Sequence, residues 1–459
     1  WNIYGTANIE DSTLFAYVGQ ANQAGFDVRG NGTATITGSE VSLALLNVGT
    51  SYEENKLDPA ADKSNLLATL TLDGTTVRNT QYRGDNTTQN GIRNGSDIDF
   101  TVLSYNDARE IGLSVRNDKS SVEISDSTFK APSITNNGTI TVSGSVLKAD
   151  EVKNDGTILV SGTSTLNIGS VNAASGDAHR IQIAAGTTLK DSVIGGDLRV
   201  LGDLTVDGEL ALGNGGIWCG YGSTQTTATI SGGMITAKYA MFQYGTYVIS
   251  ADMTLDYGYL SYGGTFIVNS TIKASGQSGE PFYVRGDVTL ADGGKLLIDK
   301  ALWLDYEGAV LTVADGAAVE AGGLKLIADT SLNVNGGSVK VGNTLENNGT
   351  FTVSGASTLN IGKLTGNMLQ VVADTTLTDS VIGGNISVGF NAENAADTTL
   401  TLAGDTSIGT LYVGKENRTN DYKLVIAGEE TTVKLGSLYS RTGSTTTISN
   451  GATLDISNY

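Results

Sequence analysis

The sequence predicts an all-β fold, a right-handed parallel β-helix (β-solenoid) of roughly 20 coils, and three observations predict it. Short runs of strict alternation recur: Ile140 and Val142 in GTITVSG, Ile158 and Val160 in GTILVSG, Leu166 and Ile168 in STLNIG, Ile181 and Ile183 in RIQIAAG. Each reads as a brief strand with alternate side chains on one side. Between the runs sit Gly-Ser, Gly-Thr, Asn-Gly and Asp-Gly pairs, which supply the positive φ angles of tight corners. The third observation is self-similarity. NDGTILVSGTSTLNIGSV (154–171) returns as NNGTFTVSGASTLNIGKL (347–364) at an offset of 193 residues, and TLKDSVIGGDLRV (188–200) as TLTDSVIGGNISV (376–388) at 188.

The elements follow in order. Residues 1–130 show the strand grammar loosely, in GTATITGSEVSLALLNV, LLATLTLDGTTV and SSVEISDSTF, interrupted by two stretches read as protruding loops, 49–65 and 82–97. Residues 131–459 read as regular coils containing the duplicated block 154–200 and 347–388. The local period is visible where NNGT at Asn136 recurs as NDGT at Asn154, a step of 18 residues, and elsewhere it is nearer 20 or 22. Strands this short, joined by brief turns with no helical pattern, make neither βαβ units nor a meander of long hairpins. Coil length varies and no six-residue repeat is found, so the right-handed type is expected over the left-handed hexapeptide type. No composition break divides the chain, so a single continuous β-helix over 1–459 is expected. The 190-residue echo reads as a duplicated block of coils, which a solenoid absorbs because each coil touches only its neighbours. The echoed Asp191 and Asp379 are therefore read as scaffold.

Composition limits the function. With 60 Gly, 3 Pro and charged residues at 17%, long surface helices are disfavoured and many turns favoured. A net charge of −20 makes nucleic acid an improbable partner, because a phosphate backbone needs a basic stripe. Cys219 is the one cysteine, which excludes an internal disulfide framework and a multi-cysteine metal site. No run of 18 apolar residues exists, so no membrane insertion by this segment is expected. The start at Trp1, without methionine or a signal-like stretch, is read as a mature or trimmed chain.

Candidate sites are few. Trp218, Tyr239 and Tyr259 follow one another at steps of 21 and 20, and Tyr262, Tyr283 and Trp303 at 21 and 20, close to the coil period, so their rings are expected to form a ladder along one face. Facing outward, the ladder is a stacking platform suited to sugars; facing inward it is core filling, the commoner fate of rings in a β-solenoid. Arg83-Gly84-Asp85, in a loop-like stretch, offers a guanidinium and a carboxylate to a receptor, whereas Arg285-Gly286-Asp287 runs into a strand. No catalytic residue, cofactor or metal is expected. His179 is the one histidine and lacks a nucleophile partner. Asp252/Asp256 and Asp305/Glu307 are acid pairs of the kind used by polysaccharide-cleaving β-helices, but read more simply as solvated corner residues. The EF-hand and Gly-Gly-x-Gly-x-Asp calcium signatures are absent. The sequons at Asn31, Asn137 and Asn348 read as a turn followed by a strand.

With NNGTITVSGS, NDGTILVSGTSTLNIG and ISNGATLDISNY in view, the chain resembles the passenger regions of bacterial autotransporters and related surface-exposed β-helix adhesins. The Gly-Gly-Ala-Ile and Phe-x-x-Asn repeats of chlamydial polymorphic membrane proteins are missing. The resemblance implies a non-catalytic role at the bacterial cell surface or outside the cell, adhesive or structural. The implied partners are glycans or proteins on host or neighbouring cells, or further copies of the chain. The alternative is a carbohydrate-binding or polysaccharide-cleaving β-helix of pectate-lyase-like shape.

Overall fold

A computed structural model of the chain describes residues 1–15, 25–43, 45–49, 67–79, 112–173, 179–220, 226–389, 397–414 and 421–456. They form an all-β parallel β-solenoid of about 17 turns. There are 42 strands and no α-helix among the described residues, so a turn carries two or three strands. The expectation of roughly 20 coils came from dividing the whole length by one coil period, which overcounts. Thr69 pairs with Ser121 across a step of 52 residues, and Thr33 with Thr69 across 36. Each of these long steps consumes sequence yet adds one rung. The chain divides into two compact units, Trp1–Gly215 and Gly216–Tyr459.

In the first unit the strands Thr33–Thr37, Thr69–Asp73, Ser121–Ser125, Thr139–Ser143 and Thr157–Ser161 pair in succession, all parallel. Asn136 aligns with Asn154 and Thr139 with Thr157, the 18-residue step read from the sequence. Every second residue is buried: Ile140, Val142, Ile158, Val160, Leu166, Ile168, Ile181 and Ile183 all point inward. Removing such a side chain from water is worth about 1.5–3 kcal/mol, and stacking identical positions makes the apolar column continuous. The corners are held by two polar ladders. In one, the backbone N–H of Thr75 donates to Ser127 Oγ (2.9 Å), that of Ser127 to Ser145 Oγ (3.0 Å), and that of Ser145 to Ser164 Oγ (3.3 Å). In the other, Asn136 Nδ2 donates to Asn154 Oδ1 (2.7 Å), and Asn154 Nδ2 to the His179 carbonyl (2.6 Å). These corner groups are buried, so each needs its partner.

The duplicated phrases build the same corner twice. Ser164 and Ser357 are both buried. Each donates to a carbonyl three residues back, Ser161 and Ser354. The N–H of Leu166 donates to Ser192 Oγ at 3.0 Å, and that of Leu359 to Ser380 Oγ at 3.1 Å. Asp191 (φ 38°) and Asp379 (φ 47°) occupy the left-handed region, which aspartate tolerates better than most residues. Asp379 Oδ1 accepts the Asp405 N–H at 3.0 Å. These aspartates shape corners, as expected for scaffold.

A representative coil of the second unit runs through residues 282–285, 287–290 and 295–298 before the next begins at 302–304. Its interior holds rings as well as aliphatic chains: Phe242, Tyr247, Phe266, Phe282 and Phe351 are buried. Tyr247 and Phe266 stack at 5.4 Å, and Phe242 meets Tyr247 obliquely, at 5.4 Å and 67°. The Tyr247 hydroxyl donates to the Gln243 carbonyl at 2.6 Å, which satisfies its polar end.

Candidate functional site

Strand parity decides where the aromatic residues point. Ile217 and Cys219 are buried, so Trp218 between them faces out; Ala240 and Phe242 place Tyr239 and Met241 outside by the same rule. Leu260, Phe282 with Val284, and Leu302 with Leu304 do so for Tyr259, Tyr283 and Trp303. The rings therefore lie on the outer side of the wall in the second unit, where Trp218, Tyr239, Tyr259 and Trp303 are half-buried and Tyr283, covered by its neighbours, is only 9% exposed; core filling falls instead to Phe242, Tyr247, Phe266 and Phe282. The thiol of Cys219 is wholly buried, and that burial pushes its pKa up.

The register differs from an equal-period ladder. Trp218 and Tyr259 align with Met241, Tyr259 with Tyr283, Tyr283 with Trp303, and Trp303 with Lys325. Tyr239 belongs to the adjacent outward column, between Gly216 and Tyr257. The two columns touch, and a run of six rings results. Trp218 meets Tyr239 edge-on (5.8 Å, 88°), with Trp218 Nε1 donating to the Tyr239 hydroxyl at 3.2 Å. Tyr239 and Tyr257 stack (5.5 Å, 23°), Tyr257 meets Tyr259 edge-on (6.2 Å, 87°), Tyr259 and Tyr283 stack (4.8 Å, 7°), and Tyr283 meets Trp303 edge-on (5.9 Å, 89°). Each contact contributes about 0.5–1.5 kcal/mol beyond area burial. The backbone of Tyr262 lies in the same strand, Tyr257–Val268, but Tyr283 takes Tyr259 as its partner. Tyr257 is the member that sequence spacing missed. Its separation from Tyr239, 18 residues, equals the step visible at Asn136 and Asn154 and was the available signal.

An ion-pair strip flanks the rings. Arg285 Nε and Nη2 donate to Asp305 Oδ1 (2.7 Å) and Oδ2 (2.8 Å), a bidentate pair with side chains 18% and 21% exposed. Such geometry makes it stronger than an ordinary surface pair. The Arg285 guanidinium carbon lies 4.3 Å from the Tyr283 centroid and 5.1 Å from that of Tyr259. Those centroids are themselves 4.8 Å apart, so the triangle is nearly equilateral and the guanidinium braces the flank of the stack. Lys325 Nζ stands 5.4 Å from the Trp303 ring and 3.6 Å from Glu346 Oε2. Burial, then the neighbouring Tyr259, Glu280 and Asp305, outweigh Arg285 and raise the Tyr283 pKa, so its hydroxyl stays protonated at neutral pH.

The remaining candidates fall elsewhere. Arg83, Gly84 and Asp85 lie outside the described residues, as do nearly all of 49–65 and the whole of 82–97. Arg285-Gly286-Asp287 is within the strand Phe282–Leu290, its arginine held by Asp305. His179 is half-buried, its Nδ1 3.2 Å from the Gly156 carbonyl. Asp252 Oδ1 accepts the Thr271 N–H at 2.8 Å. The strands Thr33–Thr37, Thr139–Ser143 and Thr350–Gly366 each open on the threonine of a sequon, as a turn-then-strand reading requires. Among the described residues no group of three or more His, Cys, Asp or Glu is placed to hold a metal ion. No helix among them is long and apolar enough to cross a membrane.

Asp256 closes a corner, accepting from Ser275 Oγ (3.2 Å) and from the Ser278 N–H (3.2 Å). Burial alone would raise its pKa, but these donors and the Gln277 backbone prevail and hold the carboxyl below its ordinary value. A carboxyl depressed by folding stabilises above its unfolded pKa, and the contribution is lost as pH falls through the folded value. Asp256→Asn is accordingly expected to lower the urea midpoint at neutral pH. The gap from wild type should close below about pH 4.

Fold and strip together define a class: a parallel β-solenoid that carries a ring-lined, ion-paired face on its outside. Comparison of the chain with protein-family models, curated proteins and solved structures finds no match.

Proposed function

We propose that this chain is a non-catalytic β-solenoid displayed outside a bacterial cell, of the autotransporter-passenger kind, which acts as an adhesive scaffold. One observation carries the reading: six aromatic side chains run together along the outer side of the second unit's wall, five of them half-buried and Tyr283 covered between them. Large rings on an outer face cost solvation unless something covers them, and contiguous rings mark interaction surfaces. The partners on this reading are glycans or proteins of host or neighbouring cells. The net charge of −20 disfavours nucleic acid. A carbohydrate-binding role without cleavage is contained in the same reading, and the Arg285–Asp305 pair beside the rings favours it over a purely structural fibre.

The test is adherence. Beads coated with the chain are expected to bind bacterial or epithelial cells above the level of uncoated beads, and Trp303→Ala with Tyr257→Ala is expected to remove most of the excess. Adherence equal to that of bare beads on every cell type would rule out the adhesive reading. A dilute stable monomer in sedimentation would remove the fibre-building variant.

A further inference from the structure

We infer that the outer aromatic strip of the second unit binds a linear, uncharged polysaccharide laid along the direction in which the coils stack. This deepens the adhesive reading and rests on it. Three features of the strip point the same way.

The first is ring attitude. A Cβ at Gly216 would fall 2.1 Å from the Tyr239 ring, so that ring lies down over the glycine one coil before it and turns a face away from the sheet. Tyr257, inclined to Tyr239 by only 23°, overlaps it in the same attitude. Tyr259 and Tyr283 then stand at right angles to Tyr257, and Trp303 turns by 89° again. A flat pair, Tyr239 and Tyr257, thus lies beside an upright pair, Tyr259 and Tyr283, in the adjacent column. A pyranose chain presents the matching sequence of C–H faces and equatorial hydroxyls, the faces settling on flat rings and the hydroxyls bonding phenol oxygens.

The second feature is extent. Trp218, Met241, Tyr259, Tyr283 and Trp303 occupy successive coils. At about 4.8 Å per coil they cover roughly 19 Å, the length of about four pyranose units.

The third is charge. On a chain of net −20 the strip's own ion pairs leave no unmatched cation, because Arg285 is matched by Asp305 and Lys325 by Glu346, and Glu280 adds a further carboxylate beside Tyr283. The cations are already engaged, and the surrounding negative field opposes a polyanion. A neutral chain meets neither obstacle.

The experiment measures tryptophan fluorescence and calorimetric titration of the whole chain with gluco-, manno- and xylo-hexaoses, with hexagalacturonate as the acidic counterpart. At least one neutral hexaose is expected to bind and its trimer to bind several-fold more weakly, while hexagalacturonate gives no signal. Trp303→Ala and Tyr257→Ala should each weaken binding by up to about tenfold. Gly216→Val, which displaces the Tyr239 ring from outside without touching the interior, should weaken it as well. Tyr412→Ala is the control. Tyr412 stacks on Tyr439 (4.9 Å, 8°), but in the column that descends from Thr352 through Gln370 and Ser387, and its loss should leave binding intact.

Silence of all three neutral hexaoses would overturn the inference, as would equal or tighter binding of hexagalacturonate, or neutral binding indifferent to Trp303→Ala, Tyr257→Ala and Gly216→Val. If coated beads still adhere to cells in any of those cases, the inference falls and the adhesive reading stands.

Discussion

Replacing Phe266 with alanine is expected to destabilise the second unit by about 3–5 kcal/mol. The ring is fully buried, stacks on Tyr247 at 5.4 Å and 17°, and presents an edge to Phe242 at 6.5 Å and 82°. Its removal leaves a void between coils whose spacing is fixed by the backbone ladders, so the walls relax little and most of the cavity cost remains. A solenoid offers no distant part of the core to share the loss, because each coil touches only the next. Urea titration followed by tryptophan fluorescence is the measurement, since Trp218 and Trp303 both lie in this unit. Ile267→Ala supplies the contrast one residue away. That side chain faces out and is 37% exposed, so its loss should stay within about 0.5 kcal/mol. Equal effects at 266 and 267 would contradict the strand parity on which the placement of the aromatic strip depends.

Asn154→Ala is expected to cost about 2–3 kcal/mol, although it removes only a short polar side chain. Asn154 is wholly buried, accepts from Asn136 Nδ2 and donates to the His179 carbonyl. Alanine leaves that carbonyl without this donor and deprives Asn136 Nδ2 of one of its two acceptors, the other being the Thr157 carbonyl at 3.0 Å. The penalty is the desolvation of groups left unmatched. Asn154→Asp keeps the acceptor but buries a charge, and should be the worse of the two at neutral pH. Burial raises the folded pKa of that aspartate above its unfolded value, so stability is expected to recover as pH falls. Thermal melts of both variants between pH 4 and 8 distinguish a lost hydrogen bond from a simple loss of volume.

Most of the fold was legible because a coil repeats one local instruction. Alternation in GTITVSG and GTILVSG specifies strands with one buried side, and the return of Asn136 at Asn154 measures a coil directly. The echo of Ser164, Ser192 and Asp191 in Ser357, Ser380 and Asp379 points to one corner built twice, which their matching hydrogen bonds bear out. The coil count was less legible, because the stretches read as loops, 49–65 and 82–97, fall inside steps of 36 and 52 residues between paired strands, and dividing the whole length by one period does not discount them.

The aromatic strip was legible as a cluster but not as a contact map. Equal spacing joined Tyr239 to Tyr259, yet the step between their coils is 18 residues, while that from Tyr259 to Tyr283 is 24. A corner longer or shorter by a few residues moves every later side chain to a new neighbour, and nothing local announces the change.

The sequence alone determined the parallel solenoid, its strands, its corners and the duplication, because each depends on interactions within one coil or between identical positions of adjacent coils. The tertiary structure decided which side of the wall the rings occupy, that Tyr257 completes the run, and that Arg285 closes on Asp305. Those outcomes depend on the accumulated register of successive coils of unequal length, and that register exists only once the coils are stacked.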